Sequence, residues 1–207
     1  IQKFNHETLI EFLVKRVKAS KKIDQVIVAV PNNNKNKVVK KYLKNIDIFL
    51  GSENDVLDRY YKAAKKFNAK TIVRICGDCP FVDPLIIDKL LLLLNNGDYD
   101  YVSNTIKRTF PDGLDVEVFS FDVLEKAWKL AKSKYEREHV TPYILKNKKF
   151  KKYNYVFKKD LSKLRLTIDE KIDLKQLKTI YPYLKNGKKF GIDEIHKLYT
   201  KDKKLFS

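Results

Sequence analysis

Thr71-Ile-Val-Arg-Ile-Cys-Gly-Asp-Cys-Pro-Phe-Val-Asp-Pro84 is the stretch on which the fold turns. Residues 71–75 are rich in β-branched side chains, and Gly77 marks their end, which predicts a short buried parallel strand. Pro84 is placed to open a helix, and the Leu- and Ile-rich run 85–94 supplies it. Asp78 therefore falls just past the C-terminal edge of a strand. Ligands of open α/β sheets bind at that edge. A glycine followed by a carboxylate there is a candidate metal or phosphate site.

Upstream, residues 8–18 carry an apolar stripe with Thr8 and Glu11 spaced as a capping box. Residues 26–30 form a continuous apolar strand, followed by a Pro-Asn loop at 31–34. A helix is predicted at 38–43, a strand at 46–50, and a turn at 51–54 with Asn54 as the cap. Residues 56–67 carry a second helical stripe. Beyond the central stretch, strands are predicted at 99–104, 116–119, 153–157 and 164–168. Helices are predicted at 121–131, 137–145, 172–183 and 192–199, with a frayed tail at 201–207. The alternation of strand and helix at βαβ spacing predicts a parallel sheet with helices on both faces.

The 207 residues suit a single domain, with 43% hydrophobic residues to build a core. No apolar run reaches the length of a membrane span, and no signal peptide is visible. Two cysteines point to a reducing compartment and a cytoplasmic setting. The net charge of +18 raises nucleic acid as a partner. However, 38 of the 44 basic residues are Lys, spread along the whole chain without basic–aromatic interleaving. That pattern reads as a solvated surface, so neither nucleic acid nor a membrane is an expected partner. Methionine is absent even at position 1, and the chain opens on a helix where this architecture opens on a strand. A leading strand is therefore expected upstream of Ile1, and small internal gaps are allowed for.

Asp169 ends the run 164–168 as Asp78 follows 71–75. Two aspartates from two strand ends can share one Mg²⁺ whose other ligands are water and substrate phosphates. Asp at a strand end is equally ordinary turn chemistry, and spacing alone leaves both readings open. Cys76-Gly-Asp-Cys79 is formally a CxxC, but His6, His139 and His196 offer no metal spacing. Its prolines frame a loop and do not open a helix directly, so two packed thiols are the favoured reading. Glu138 beside His139 suits proton transfer or a plain helix terminus. No P-loop, G-x-G-x-x-G or nucleophile elbow is present.

Six motifs occur in order: Gly51-Ser-Glu-Asn-Asp-Val-Leu-Asp-Arg-Tyr60, Val73-Arg-Ile-Cys-Gly-Asp-Cys-Pro80, Asp100-Tyr-Val-Ser-Asn104, Gly113-Leu-Asp-Val-Glu-Val-Phe-Ser120, Arg137-Glu-His-Val-Thr-Pro-Tyr143 and Leu164-Arg-Leu-Thr-Ile-Asp169. Together they resemble the cytidylyltransferase family of spore-coat polysaccharide biosynthesis. That family is related to the synthetases of CMP-sialic acid and CMP-Kdo. The resemblance implies a three-layer α/β/α sandwich of the nucleotide-diphospho-sugar transferase type, with a mostly parallel sheet. It implies transfer of CMP from CTP to a sugar acid, sugar phosphate or related acceptor for surface glycans, with release of pyrophosphate. Alternatives are a transferase of the same fold using another NTP, and a non-catalytic nucleotide-sugar-binding domain.

By match to the family pattern, Asp78 and Asp169 are the catalytic aspartates that hold Mg²⁺ or Mn²⁺. Ala29, Val30, Arg74, Gly77 and Asp78 line the nucleotide pocket. Asn104, Asp115, Glu117, Arg137, Glu138 and His139 line the acceptor side. Family members begin with a strand and a basic loop that wraps the triphosphate, and Ile1 corresponds to a point just after that loop. Relatives commonly dimerise, so a homodimer is an expectation.

Overall fold

The computed structural model describes residues 2–4, 6–184 and 190–206. A short hairpin, β1 (Lys3–Phe4) and β2 (Glu7–Thr8), leads into α1 (Leu9–Lys18). The Thr8–Glu11 capping box forms as its spacing predicts, with Thr8 Oγ1 accepting from Glu11 N and Glu11 accepting from Thr8 N. There follow β3 (Ile27–Pro31), α2 (Asn34–Lys37), α3 (Val39–Tyr42), β4 (Asp47–Gly51), α4 (Val56–Lys66), β5 (Thr71–Arg74) and α5 (Pro84–Asn96). The second half contains β6 (Tyr101–Ser103), β7 (Glu117–Ser120), α6 (Phe121–Leu130), α7 (Lys134–His139), α8 (Pro142–Lys146) and β8 (Lys152–Asn154). It closes with α9 (Lys171–Leu184), α10 (Ile192–Lys201) and a 3₁₀ turn at Lys203–Phe206.

Four sequence expectations are corrected. The cap of α4 is Asp55, which accepts from Asp58 N at 2.9 Å, and not Asn54. The helix expected over 137–145 is broken at Val140, which has φ 73° and is followed by Pro142. The missing proline N–H and the turn at Val140 divide the run into α7 and α8. Residues 164–168 do not form a strand; only a parallel bridge joins Arg165 to Asp112. The tail is not frayed over its described length, because Phe206 packs edge-on against Tyr199 at 5.5 Å.

Strands β3 and β4 pair in parallel. A second sheet has the order β5-β7-β6-β8, in which β7 runs against both neighbours and β8 runs with β6. Three of its four strands therefore share one direction, and β5, expected as a parallel strand, pairs antiparallel with β7. Pleat alternation sorts the side chains. Ile72, Phe119 and Tyr101 lie abreast and face α4, α6 and α8 through Leu57, Leu124 and Ile144. Val73, Val118 and Val102 face the opposite way, toward α1, α5, α9 and α10. Helices thus cover both faces, which makes the expected three-layer sandwich. On the second face Phe4, Phe12, Phe81, Tyr181 and Phe190 interlock at centroid distances of 4.8–6.2 Å.

Asp83 locks the two long helix starts on this face. One oxygen caps α5 by accepting from Leu85 N at 2.9 Å, and the other accepts from Ile192 N at 2.8 Å. Burial raises its pKa, which the two backbone N–H groups and nearby Arg16 partly offset. Asp83→Ala is expected to cost about 3 kcal/mol, since two charge-assisted bonds go and two buried donors are orphaned. Urea unfolding checks this through the midpoint at unchanged slope.

No hydrogen-bonded pairing joins β3 to β5. Between them lies a cavity of about 820 Å³ that runs the length of both strands. Its walls are Leu13, Val14 and Val17 of α1 on one side and Val56, Arg59 and Tyr60 of α4 on the other.

Candidate active site

The position of Asp169 follows from how the 164–168 segment is held. Asp112 N donates to Leu164 O at 2.8 Å, and Leu166 N donates to Asp112 O at 2.7 Å. One turn further on, Ile168 N donates to the carbonyl of Asp78 at 2.9 Å. That bond sets the residue before Asp169 directly against Asp78. The backbones of two aspartates 91 positions apart in the chain are therefore drawn close at the C-terminal end of β5. Gly113, at φ +103°, permits the approach; a Cβ there would sit 2.5 Å from the carbonyl carbon of Leu166.

The two carboxylates differ in what engages them. Asp78 is half-buried and accepts a weak bond from Cys79 Sγ at 3.5 Å. The Asp169 side chain is 58% exposed and is paired with Arg165. Asp173, by contrast, is committed: it accepts from Asp169 N and Glu170 N at 2.8 Å each and from Arg165 at 2.6 Å. Around the aspartates the charge is concentrated. Burial raises the pKa of Asp112, with Arg108 and Arg165 lowering it and Asp115 and Asp78 raising it further. Arg108 forks onto Asp115 at 2.6 and 2.7 Å. Among the described residues no group of three or more His, Cys, Asp or Glu is placed to hold a metal ion. Carboxylate ligands suit a hard divalent cation that takes its other ligands from water and phosphate, and do not suit zinc.

Four of the residues expected at the nucleotide, Ala29, Val30, Arg74 and Gly77, line one cavity, the gap between β3 and β5. Sequence reasoning missed two more, Arg59 and Tyr60 on α4. The Nε atoms of both Arg59 and Arg74 are buried with no hydrogen-bond partner among the described residues. Arg59 donates from NH1 to Ser52 O at 2.5 Å, and its stem packs where a Cβ on Gly51 would be, 2.8 Å away. That glycine was the readable signal for Arg59. Burial pushes the Tyr60 phenol up to about 12, against the pull of Arg74. Burial likewise raises the Cys76 and Cys79 thiols, and the buried Cys79 sits beside Asp78 with its Sγ 3.5 Å from the carboxylate.

The residues expected on the acceptor side are scattered in role. Asn104 is 1% exposed and bridges backbone, donating to Leu114 O and accepting from Val116 N at 2.9 Å each. Glu117 is 5% exposed; it is paired with Arg74 and accepts from Tyr101 Oη at 2.5 Å and Thr141 Oγ1 at 2.7 Å. Arg137 is spent on Asp55, at 2.9 and 2.5 Å, and on Trp128 O at 2.7 Å. Glu138 is exposed, and His139 packs on Tyr135 at 4.6 Å. Asp115 is held by Arg108 beside the aspartate pair.

The family model described as "Cytidylyltransferase" matches residues 1–206. A cytidylyltransferase structure from Leptospira borgpetersenii superposes with a TM-score of 0.91 at 36% identity, covering 99% of this chain and 88% of that one. The spore coat polysaccharide biosynthesis protein SpsF of Bacillus subtilis is 29% identical over 185 residues, 84% of this chain and 75% of SpsF. A CMP:2-keto-3-deoxy-manno-octonic acid synthetase solved with CTP shares the fold, with a TM-score of 0.62 at 13% identity over 84% of this chain and 88% of that one. No helix among the described residues is long and apolar enough to cross a membrane.

Proposed function

Since the chain belongs to the cytidylyltransferase family and is a nucleotidyltransferase, we propose that it transfers CMP from CTP to a sugar acid, a sugar phosphate or a related acceptor. The reading rests on one juxtaposition: the bond from Ile168 N to Asp78 O sets the residue before Asp169 against Asp78, next to Gly77 of the cavity that Ala29, Val30 and Arg74 also line. An acceptor oxygen attacks the α-phosphorus of CTP. The bond from that phosphorus to the bridging oxygen breaks, pyrophosphate leaves, and the acceptor hydroxyl, where it is the nucleophile, loses its proton. A Mg²⁺ or Mn²⁺ ion held by Asp78 and Asp169 would neutralise charge on the triphosphate. Arg74 and Arg59 offer buried donors to the nucleotide, so catalysis rests on positioning and charge balance, without a covalent enzyme intermediate.

A cytoplasmic setting is supported by two free thiols. SpsF, by its name, serves spore-coat polysaccharide synthesis, and surface-glycan precursors are the acceptor class to test first.

The test is pyrophosphate release by the full-length protein with CTP, GTP, UTP or ATP, each against a panel of sugar acids, sugar phosphates and phosphonates. CTP is expected to support release at least about tenfold faster than any other NTP, a margin of about 1.4 kcal/mol. Equal or faster release with another base would replace the CTP assignment. Nucleotide binding without release across the panel would favour a binding domain.

A further inference from the structure

Glu117 was expected to meet the acceptor, but its surroundings give it different work. It is the first residue of β7, abreast of Arg74 and Ser103 in the sheet register. One carboxylate oxygen pairs with the Arg74 guanidinium. The other accepts from Tyr101 Oη at 2.5 Å and Thr141 Oγ1 at 2.7 Å. Both oxygens are spent, and the side chain is 5% exposed. Arg74 lines the β3–β5 cavity, its Nε is buried without a partner among the described residues, and its guanidinium carbon lies 5.8 Å from the Tyr60 ring centroid.

Thr141 is held by an unusual backbone. Val140 has φ 73° and ψ −58°, and Thr141 N donates to His139 O at 2.9 Å, closing a three-residue turn. This is the γ-turn form that a β-branched residue rarely adopts. Val140 is fully buried against the α4–α6 face, so packing fixes the turn from one side and the Thr141–Glu117 bond from the other. Strain of this kind persists only where the surroundings over-determine it.

We propose that Glu117 is a positioning residue: anchored by Tyr101 and Thr141, it holds the Arg74 guanidinium at the nucleotide cavity and ties the strained 139–141 turn to that cavity. The proposal rests on the reading of the cavity as the nucleotide site. Arg74 makes the contact, and Glu117 acts through it. A charged tether matters here because the Arg74 guanidinium is buried, and the Glu117 carboxylate paired with it offsets the cost of that burial.

Glu117→Gln separates the roles. The amide oxygen still accepts from Tyr101 and Thr141, while the amide nitrogen faces Arg74 without charge, so the shape is kept and the tether is lost. In the full-length protein, CTP binding by calorimetry is expected to weaken about tenfold. The acceptor KM at saturating CTP is expected to stay put, while the unfolding midpoint falls because the buried Arg74 charge loses its partner. Thr141→Val is expected to weaken CTP binding in the same direction, about threefold, and carries the test if Glu117→Gln does not fold. Unchanged CTP affinity with a raised acceptor KM would overturn the proposal and return Glu117 to the acceptor. Unchanged CTP affinity with unchanged KM would overturn it as well. A wild-type protein that binds no nucleotide would overturn the parent reading along with it.

Discussion

Asp78→Asn in the full-length protein is expected to lower cation-dependent nucleotidyl transfer by at least about 10³-fold, close to 4 kcal/mol of transition-state stabilisation. Little stability should be lost. What Asp78 contributes to the fold is its carbonyl, which accepts from Ile168 N at 2.9 Å, and the substitution leaves that carbonyl in place. The side chain makes only a weak thiol contact, which Asn can also make. Removing the charge therefore acts on whatever cation or phosphate meets the carboxylate. Mn²⁺ binding, followed by electron paramagnetic resonance in the presence of CTP, should weaken in parallel, which separates a metal role from a general loss of activity. Asp169→Asn should follow the same pattern, with one addition: Arg165 loses a partner but keeps Asp173 at 2.6 Å, so the loop stays ordered. Normal turnover by the Asp78 variant would remove the metal assignment.

How much of this was readable depended on range. Local signals were legible. The Thr8–Glu11 spacing gave its capping box, and the β-branched run 71–75 and the alternation in 116–119 gave strands whose two faces meet different helices. The aspartate at the end of β5 was legible because Gly77 and Pro84 bracket it. Long-range polar pairing was not. Asn104 and Glu117 look like exposed motif residues, yet both are buried and hydrogen-bonded. A buried polar side chain has no periodicity of its own; its partners decide it. Arg137 finds Asp55 across 82 positions, and nothing local to either announces the pair. The break at Val140 was hidden because β-branched residues normally avoid positive φ. Run 164–168 has strand composition but takes its bonds from loops around Asp78 and Asp112, with no strand alongside. That irregularity is what brings Asp169 to the site.

Gly113→Ala is expected to cost about 4 kcal/mol and to abolish activity with it. Two costs add. The backbone at φ +103° is closed to alanine without strain of about 1–3 kcal/mol. The new methyl would also lie 2.5 Å from Leu166 C and 2.7 Å from both Leu166 O and Thr167 N, all backbone atoms that cannot rotate away. Relief requires the 111–114 turn to part from the 164–168 run. That breaks the bonds from Asp112 N to Leu164 O and from Leu166 N to Asp112 O, about 1 kcal/mol each. Once the run moves, the Ile168–Asp78 bond goes with it, and Asp169 leaves the aspartate pair. Gly77→Ala is the control, because a Cβ there has no atom within 4 Å and the φ lies outside the left-handed region. It should unfold at the wild-type denaturant concentration. If Gly113→Ala folded with wild-type stability and turned over normally, the aspartate pair would not depend on this crossing, and the account of how Asp169 reaches Asp78 would fail.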